Sequence, residues 1–283
     1  MNHKSQITLG FSPCPNDTFI FDALVNNKID TDGLTFDVHL EDVQTLNNWA
    51  KADKLNISKI SYGVLPFITN KYVVLDSGGA LGKGVGPLLI AKNNAENVDV
   101  DNAVIAIPGE NTTAHFLFSL AYPNAKNKVF KVFNEIEDFV LSGKGLGVII
   151  HENRFTYQAK GLHKITDLGD YWERVTGAPI PLGGIVAQKN LPADLIEKVN
   201  RLIRKSIEFA FENYKENLPD YIIQHSQEMS EEVMRRHINL YVNNYSVSMG
   251  EEGRKAVDFL MKVFKEHSLN NTTMPSKNFF RPA

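Results

Sequence analysis

The sequence of 283 residues contains a single cysteine, Cys14, so an internal disulfide is excluded. It also lacks any stretch of about 18 apolar residues, the length that a membrane-spanning helix needs. Neither sign of charge dominates, because 30 Lys and Arg residues are interleaved with 33 Asp and Glu residues. A clustered basic face for nucleic acid is therefore not expected. The first residues lack the apolar run of a secretory signal, and we expect a cytoplasmic protein with no membrane or nucleic-acid partner.

Two common cofactor motifs are also missing. The glycine-rich stretch SGGALGKGVGPLL has Ser77 in place of the first glycine of a phosphate loop, and Gly84 where a serine or threonine should follow the lysine. A zinc motif H-E-x-x-H would begin at His151, but Phe155 occupies the position of the second histidine. The sequence therefore gives no support to a zinc site or a phosphate-loop nucleotide site, and we expect no cofactor.

Strand-like and helix-like segments alternate up to about residue 188, and helical patterns dominate afterwards. This alternation predicts an α/β fold of mixed sheets with helices on both faces. The apolar strands near residues 103–109 and 146–152 are too few to accommodate all the final helices, which we expect to pack on the first sheet. We predict a large discontinuous lobe from residues 1–92 and 180–283, and a small lobe from residues 93–179. A cleft between two such lobes is a usual place for a small ligand.

Two polar segments follow strands in the first predicted lobe. SPCPNDTF (12–19) opens a helix whose free amides could accept an anion, whereas Cys14 fits a packed thiol in a rigid turn better than a nucleophile. In SKISYG (58–63), Ser61 could donate a hydrogen bond to a ligand. From spacing alone, however, an ordinary strand end is the more frequent explanation of that segment.

A third segment, IPGENTTAHF, places Thr112 and Thr113 at the start of a helix. Hydroxyl groups, free amides and the positive end of the helix suit a carboxylate ligand. Threonine at this position is more often an N-cap, and one residue can serve both purposes.

The segment GVIIHENRFTY places His151 directly after a buried apolar strand. A histidine there could lie at the edge of a dry pocket and act as a general base, with Glu152 and Arg154 close enough to influence it. A lone histidine is more often a packed or surface residue, so position alone leaves both explanations open.

The order of several longer segments resembles a known enzyme family, the 1,4-dihydroxy-6-naphthoate synthases of menaquinone biosynthesis by the futalosine route. The segments are GFSPCPNDTFIFDAL, LEDVQTLNNWA, KISYG, SGGALGKGVGPLL, PGENTTAHFLFSL, GVIIHENRFTY, DLGDYWERVTGAPIPLGGI and YVNNYSVSMGEEG. Together they extend over nearly the whole chain, and their combination is more specific than any one of them.

This resemblance implies a two-lobed, periplasmic-binding-protein-like fold of the second type, used inside the cell as an enzyme. It implies a carbon–carbon lyase that converts cyclic dehypoxanthine futalosine to 1,4-dihydroxy-6-naphthoate and releases a three-carbon sugar fragment, dihydroxyacetone. The general base would be His151. The residues in contact with the small carboxylate substrate would be Lys59, Ile60, Ser61, Thr112 and Thr113.

Two other functions remain possible at this point. A chorismate dehydratase of the same pathway has the same fold, and only the segments above favour the synthase. A solute-binding protein for a small carboxylate also has this fold, and fold alone does not determine function. The absence of a secretory signal and the position of His151 argue against the solute-binding protein.

Overall fold

The computed structural model describes residues 6–93, 98–226 and 230–267, which form two mixed β-sheets surrounded by helices. The strands are β1 (Gln6–Phe11), β2 (Thr35–Leu40), β3 (Ile57–Ser61), β4 (Tyr72–Val74), β5 (Ala80–Gly82), β6 (Leu88–Ala91), β7 (Ile105–Ile107), β8 (Lys128–Phe130), β9 (Leu146–Ile149), β10 (His163–Asp167) and β11 (Ile180–Gln188). The predicted α/β class with mixed sheets is confirmed.

The first sheet has the order β2-β1-β3-β11-β4, and β5 also pairs with β11. Strand β1 is parallel to β2 and β3, whereas β11 is antiparallel to each of its partners. The second sheet has the order β10-β6-β9-β7-β8, in which β7 is parallel to β8 and β9 and β6 is antiparallel to β9 and β10.

The helices connect the strands and cover the sheets. They are α1 (Pro15–Val25), α2 (Val43–Lys51), α3 (Leu65–Ile68), α4 (Thr113–Ala121), α5 (Ile136–Leu141), α6 (Asn153–Thr156), α7 (Leu168–Thr176), α8 (Ala193–Asn213), α9 (Asp220–His225), α10 (Glu231–Tyr241), α11 (Asn244–Val247) and α12 (Gly250–His267). Two short 3₁₀ segments, Phe133–Glu135 and Tyr157–Lys160, precede α5 and follow α6. Among the described residues, no helix has the length and apolar character that crossing a membrane requires.

The C-terminal helices return to the first sheet through α1. Buried Ser206 of α8 donates its hydroxyl to the carbonyl of Ile20 at 2.7 Å and accepts from the amide of Leu24 at 3.1 Å. Because both partners belong to α1, α8 and α1 are joined by polar as well as apolar contacts. Residues far apart in the chain thus complete one side of the first sheet.

Strand β6 corrects one detail of the predicted lobes. The sequence pattern places residues up to 92 in the first lobe, but β6 pairs with β9 and β10 of the second sheet. The chain therefore leaves the first sheet before Leu88, and it returns at β11. An apolar run that is buried on both faces has the same pattern in either sheet, so the sequence could not distinguish them. The predicted first lobe also includes residues 1–5 and 268–283, which lie outside the described residues.

The edge strands of the second sheet, β8 and β10, were not predicted. Both are short or polar, and most of their residues are partly or fully exposed. An edge strand needs few apolar residues because one side and often one face meet solvent, so its pattern is weak. The central strands β7 and β9, which are fully buried, were predicted from their apolar runs.

Candidate active site

A cavity of about 100 Å³ lies where the two sheets meet, and residues from both sides line it. A concave site with mostly apolar walls and a few convergent polar groups is the usual form of a small-molecule site. The six residues predicted from the sequence all line this cavity: Lys59, Ile60, Ser61, Thr112, Thr113 and His151. The structure thus brings together segments that lie about a hundred residues apart, while the role of each residue stays a prediction.

His151 follows β9 in a backbone conformation that few residues adopt. Its φ of 59° lies in the left-handed region, which histidine tolerates better than branched residues do. The ring centroid lies 4.7 Å from that of Phe133 and 6.0 Å from that of His237, and the two histidine rings are tilted by only 9°. The ring is therefore held between two aromatic neighbours at the cavity wall.

The surroundings of His151 favour its uncharged form. Burial lowers the pKa of this histidine below its ordinary value of 6.5, and the positive charge of Lys59 acts in the same direction. The carboxylates of Glu152, Asp17 and Asp42 act in the opposite direction without reversing the shift. At neutral pH the imidazole therefore has a lone pair that can accept a proton.

Lys59 and Asp17 form a buried ion pair beside the cavity. The ammonium nitrogen of Lys59 lies 2.8 Å from Oδ1 of Asp17 and donates to the carbonyl oxygen of Gly78 at 3.2 Å. The other oxygen of Asp17 accepts from the amide and the hydroxyl of Ser12, at 3.2 and 2.6 Å. Since an ammonium group has three donors, one remains available to a ligand.

The segment SPCPNDTF does not offer the open anion site that its sequence suggested. Asp17 places a carboxylate in the first turn of α1, so a second anion there would meet like charge. Cys14 is buried, and burial raises the pKa of its thiol well above the ordinary value. This agrees with a packed thiol and not with an activated nucleophile, which needs a lowered pKa.

Ser61 and Ile60 form adjacent parts of the cavity wall. The amide of Ser61 donates to Oδ1 of Asn47 at 2.9 Å, whereas no described residue forms a hydrogen bond with its hydroxyl. That hydroxyl is consequently available to a ligand. Ile60 is fully buried and contributes apolar surface.

The two threonines at the start of α4 already use their hydroxyls within the protein. Thr112 is the N-cap: its hydroxyl accepts from the amide of His115 at 3.2 Å and donates to the carbonyl of Gly109 at 2.8 Å. The hydroxyl of Thr113 donates to the carbonyl of Leu182 at 2.7 Å and accepts from the amide of Gly63 at 3.1 Å.

The groups at the start of α4 that remain available to a ligand are backbone amides. Those of Thr113 and Ala114 belong to the first turn and have no acceptor among the described residues, which is the usual state of the first amides of a helix. Gly63 packs directly on this turn, and a Cβ atom there would lie 2.5 Å from the carbonyl carbon of Thr112. The helix start therefore offers amide donors and the positive end of its dipole to the cavity.

His237 is a cavity residue that the sequence pattern does not reveal. It lies on the buried face of α10 with Met234, Ile238 and Tyr241, and its Nε2 is 2.9 Å from Oδ1 of Asn16. Burial lowers the pKa of His237 well below its ordinary value, and His151 and Lys59 lower it further. The one sequence feature that could have indicated His237 is its position on an otherwise apolar helix face. A histidine in that pattern is more often a packed core residue.

The neutral state of His237 predicts a loss of stability in mild acid. In the unfolded chain this histidine protonates near 6.5, whereas the folded protein resists protonation until a much lower pH. The unfolded state thus binds more protons in this interval, and the free energy of unfolding falls as the pH drops below 6.5, by up to about 1.4 kcal/mol per pH unit. Denaturant unfolding of the wild type and of His237→Phe between pH 7.5 and 5 should show a weaker pH dependence in the variant. Equal slopes would contradict the assignment.

The polar residues after His151 divide into two groups. Arg154 binds the carbonyl oxygens of Gly84, at 3.0 Å, and Gly86, and it pairs with Asp167 at 2.7 Å. Asn153 donates to Glu137 of α5. These two side chains hold neighbouring segments in place, whereas Glu152 is buried beside Cys14 and His151.

One nitrogen of His151, the sulfur of Cys14 and one oxygen of Glu152 lie within 4.8 Å of one another. The three side chains are of metal-ligand types, but they supply only three ligand atoms, and burial raises the pKa of the thiol that would have to lose its proton. An imidazole beside a carboxyl group is the simpler description of these residues.

Relatives of known name cover almost the whole chain. A 1,4-dihydroxy-6-naphthoate synthase from Thermus thermophilus is 42% identical over 271 residues, which are 95% of this chain and 97% of that protein. A protein of the same name from Streptomyces coelicolor is 38% identical over 261 residues, 90% of this chain and 91% of that one.

Solved structures agree with the predicted architecture. A protein from Archaeoglobus fulgidus is 32% identical, covers 95% of this chain with its whole length, and superposes with a TM-score of 0.89. The periplasmic aliphatic sulphonate binding protein SsuA of Escherichia coli is only 9% identical, but it covers 95% of each chain with a TM-score of 0.65. The second similarity concerns the fold alone, and it confirms the predicted periplasmic-binding-protein-like fold.

A family model described as menaquinone biosynthesis matches residues 7–266, which include the cavity and both sheets. This match agrees with the two named relatives. The chain belongs to the menaquinone biosynthesis family.

Proposed function

We propose that the protein is a carbon–carbon lyase that converts cyclic dehypoxanthine futalosine to 1,4-dihydroxy-6-naphthoate and releases a three-carbon sugar fragment, dihydroxyacetone. The observation that carries the proposal is the combination, in one cavity, of an uncharged imidazole at His151 and open amide donors at the start of α4. The names of the two relatives support the same reaction.

The substrate carboxylate would bind at the start of α4. The amides of Thr113 and Ala114 can donate to its oxygens, and the hydroxyl of Ser61 and the third donor of Lys59 can contribute from β3. An anion at this position is stabilised by the helix dipole as well as by hydrogen bonds. The two threonines thus act mainly through the backbone, since their hydroxyls already have protein partners.

His151 would remove a proton from the sugar-derived part of the substrate. The electron pair that remains drives cleavage of a carbon–carbon bond, and formation of the aromatic naphthoate ring makes the step favourable. Exclusion of water from the cavity protects the reactive intermediate. This scheme uses only side chains and backbone amides of the protein, so we propose that no metal, nucleotide or redox cofactor takes part. We also propose a cytoplasmic enzyme that acts on a small carboxylate.

The decisive experiment supplies purified protein with cyclic dehypoxanthine futalosine and follows the naphthoate by absorbance and the three-carbon product by mass spectrometry. We expect the two products in equal amounts. In parallel, the protein is given chorismate. Turnover of chorismate in place of the futalosine compound would identify a dehydratase, and tight carboxylate binding without turnover would identify a solute-binding protein. Either result would overturn the proposal.

A further inference from the structure

The buried carboxyl group of Glu152 has no hydrogen-bond donor beside it in the part of the chain that the structure describes. Its side chain is only 7% exposed, and among the described residues neither carboxylate oxygen has a hydrogen-bond partner. Leaving such a group unpaired in the interior is costly. The presence of an unpaired carboxyl group in the interior therefore needs an explanation, and the residues around Glu152 provide one.

The hydrogen bonds around Asn16 show that His237 cannot be the missing donor. Asp17 can only accept, so the amide nitrogen of Asn16 must face it, and the two atoms lie 2.8 Å apart. The carbonyl oxygen of Asn16 then faces Nε2 of His237 at 2.9 Å, and Nε2 must carry the hydrogen. In a neutral imidazole the other nitrogen is then an acceptor. This Nδ1 lies 3.7 Å from Glu152, and it too has no hydrogen-bond partner within residues 6–93, 98–226 and 230–267.

His151 is the neighbour that can become a donor. One of its nitrogens lies within 4.8 Å of an oxygen of Glu152, and the two residues are adjacent in the chain. The uncharged ring offers one N–H group, but the ring carries a hydrogen on both nitrogens once it has accepted a proton. An imidazolium at this position would face the unpaired carboxylate.

The other charged groups around His151 are already compensated. Asp17 is paired with Lys59. Asp42 accepts from the amides of Gln44 and Thr45 at the start of α2, at 2.9 and 3.1 Å, and from the hydroxyl of Thr45. The remaining ionisable neighbours, the thiol of Cys14 and the phenol of Tyr241, are held in their uncharged forms because burial raises the pKa of each.

We propose that Glu152 is a positioning residue whose unpaired carboxylate stabilises the protonated His151 that forms during the reaction. In the reacting step, the proton moves from a substrate carbon to the imidazole, the electron pair stays on the substrate, and Glu152 exchanges no atom. The uncharged ring already has one N–H group, but the carboxylate faces a full positive charge only after proton transfer. An interaction that is stronger in the transition state than in the resting site accelerates the step. This inference rests on the proposed function for its reaction, but the contact itself can be measured without substrate.

The first test is an NMR titration of His151 in the wild type, Glu152→Gln and Glu152→Asp. The wild-type carboxylate raises the pKa of His151, so we expect a lower pKa in the Gln variant and a pKa close to that of the wild type in the Asp variant. In the wild type, the carboxyl ¹³C signal of Glu152 should also shift at the pH where His151 titrates. The inference would be overturned if the pKa of His151 were unchanged or raised in the Gln variant. It would also be overturned if the carboxyl signal of Glu152 did not shift at the pH where His151 titrates. The wild-type measurement remains decisive if the Gln variant does not fold.

Glu137→Gln is the matched control. Glu137 lies on α5 and is also a buried glutamate, but its carboxylate pairs with the ammonium group of Lys160 at 2.6 Å. It should leave the titration of His151 unchanged. In the turnover assay, kcat/KM of Glu152→Gln should fall about tenfold or more, as part of the ~10²–10⁴-fold that positioned proton transfer contributes. The acidic limb of its pH profile should move to lower pH, which a purely structural defect would not cause. If the titrations behave as expected but the wild type does not turn over the futalosine compound, the proposed function fails and the contact stands.

Discussion

Replacing His151 with asparagine is expected to lower kcat by about 10²–10⁴-fold, the usual contribution of a positioned general base. Asparagine is polar and tolerates the left-handed backbone that this position requires, but it cannot accept a proton near neutral pH. KM should change little, because the proposed carboxylate site is formed by other elements, chiefly the start of α4. Steady-state kinetics with the futalosine compound measures both constants.

His163→Asn provides the same substitution at an exposed histidine on the edge strand β10. Its kinetics should match those of the wild type. If His151→Asn kept wild-type turnover, His151 would not be the base, and the proton would have to leave through another group.

Replacing Lys59 with methionine should destabilise the protein by about 3–5 kcal/mol, the usual effect of removing one partner of a buried ion pair. Lys59 and Asp17 have side-chain exposures of only 7% and 2%, so the remaining carboxylate would stay buried without its counter-charge. Denaturant unfolding at pH 7 measures the difference in the free energy of unfolding.

The double variant Lys59→Met, Asp17→Asn separates the pair from general damage to the core. It removes both charges, so it should be more stable than Lys59→Met alone. Lys255→Met breaks an exposed pair with Glu251 on α12 and should leave stability almost unchanged, because water solvates both groups. A single variant as stable as the wild type would show that the buried pair contributes nothing.

The parts of the site that the sequence could predict are those with local signals. An apolar run that ends at His151 predicted a strand end, and a threonine pair before an apolar helix predicted the cap at Thr112. The contact of His237 with Asn16 joins residues 221 positions apart, and no local pattern encodes it. The resemblance to the synthases added Lys59 and Ile60, although it could not show that Asp17 holds the ammonium group of that lysine.

The hydroxyls of Thr112 and Thr113 illustrate a second limit. Residue type suggested a carboxylate ligand for both hydroxyls. That of Thr112 caps its own helix, whereas the acceptor and donor of the Thr113 hydroxyl depend on how α4 packs against Gly63 and Leu182. Whether a hydroxyl bonds to the protein or stays available to a ligand depends on tertiary packing. A local sequence pattern does not contain that information.

The place of β11 in the first sheet has a consequence for synthesis of the protein. This strand lies between β3 and β4, although it follows them by more than a hundred residues in the chain. A ribosome must therefore translate through Gln188 before the first sheet can have the strand that joins β3 to β4. All strands of the second sheet lie between Leu88 and Asp167. The lobe inserted in the middle of the chain thus has its complete set of strands before the lobe that begins at the N-terminus.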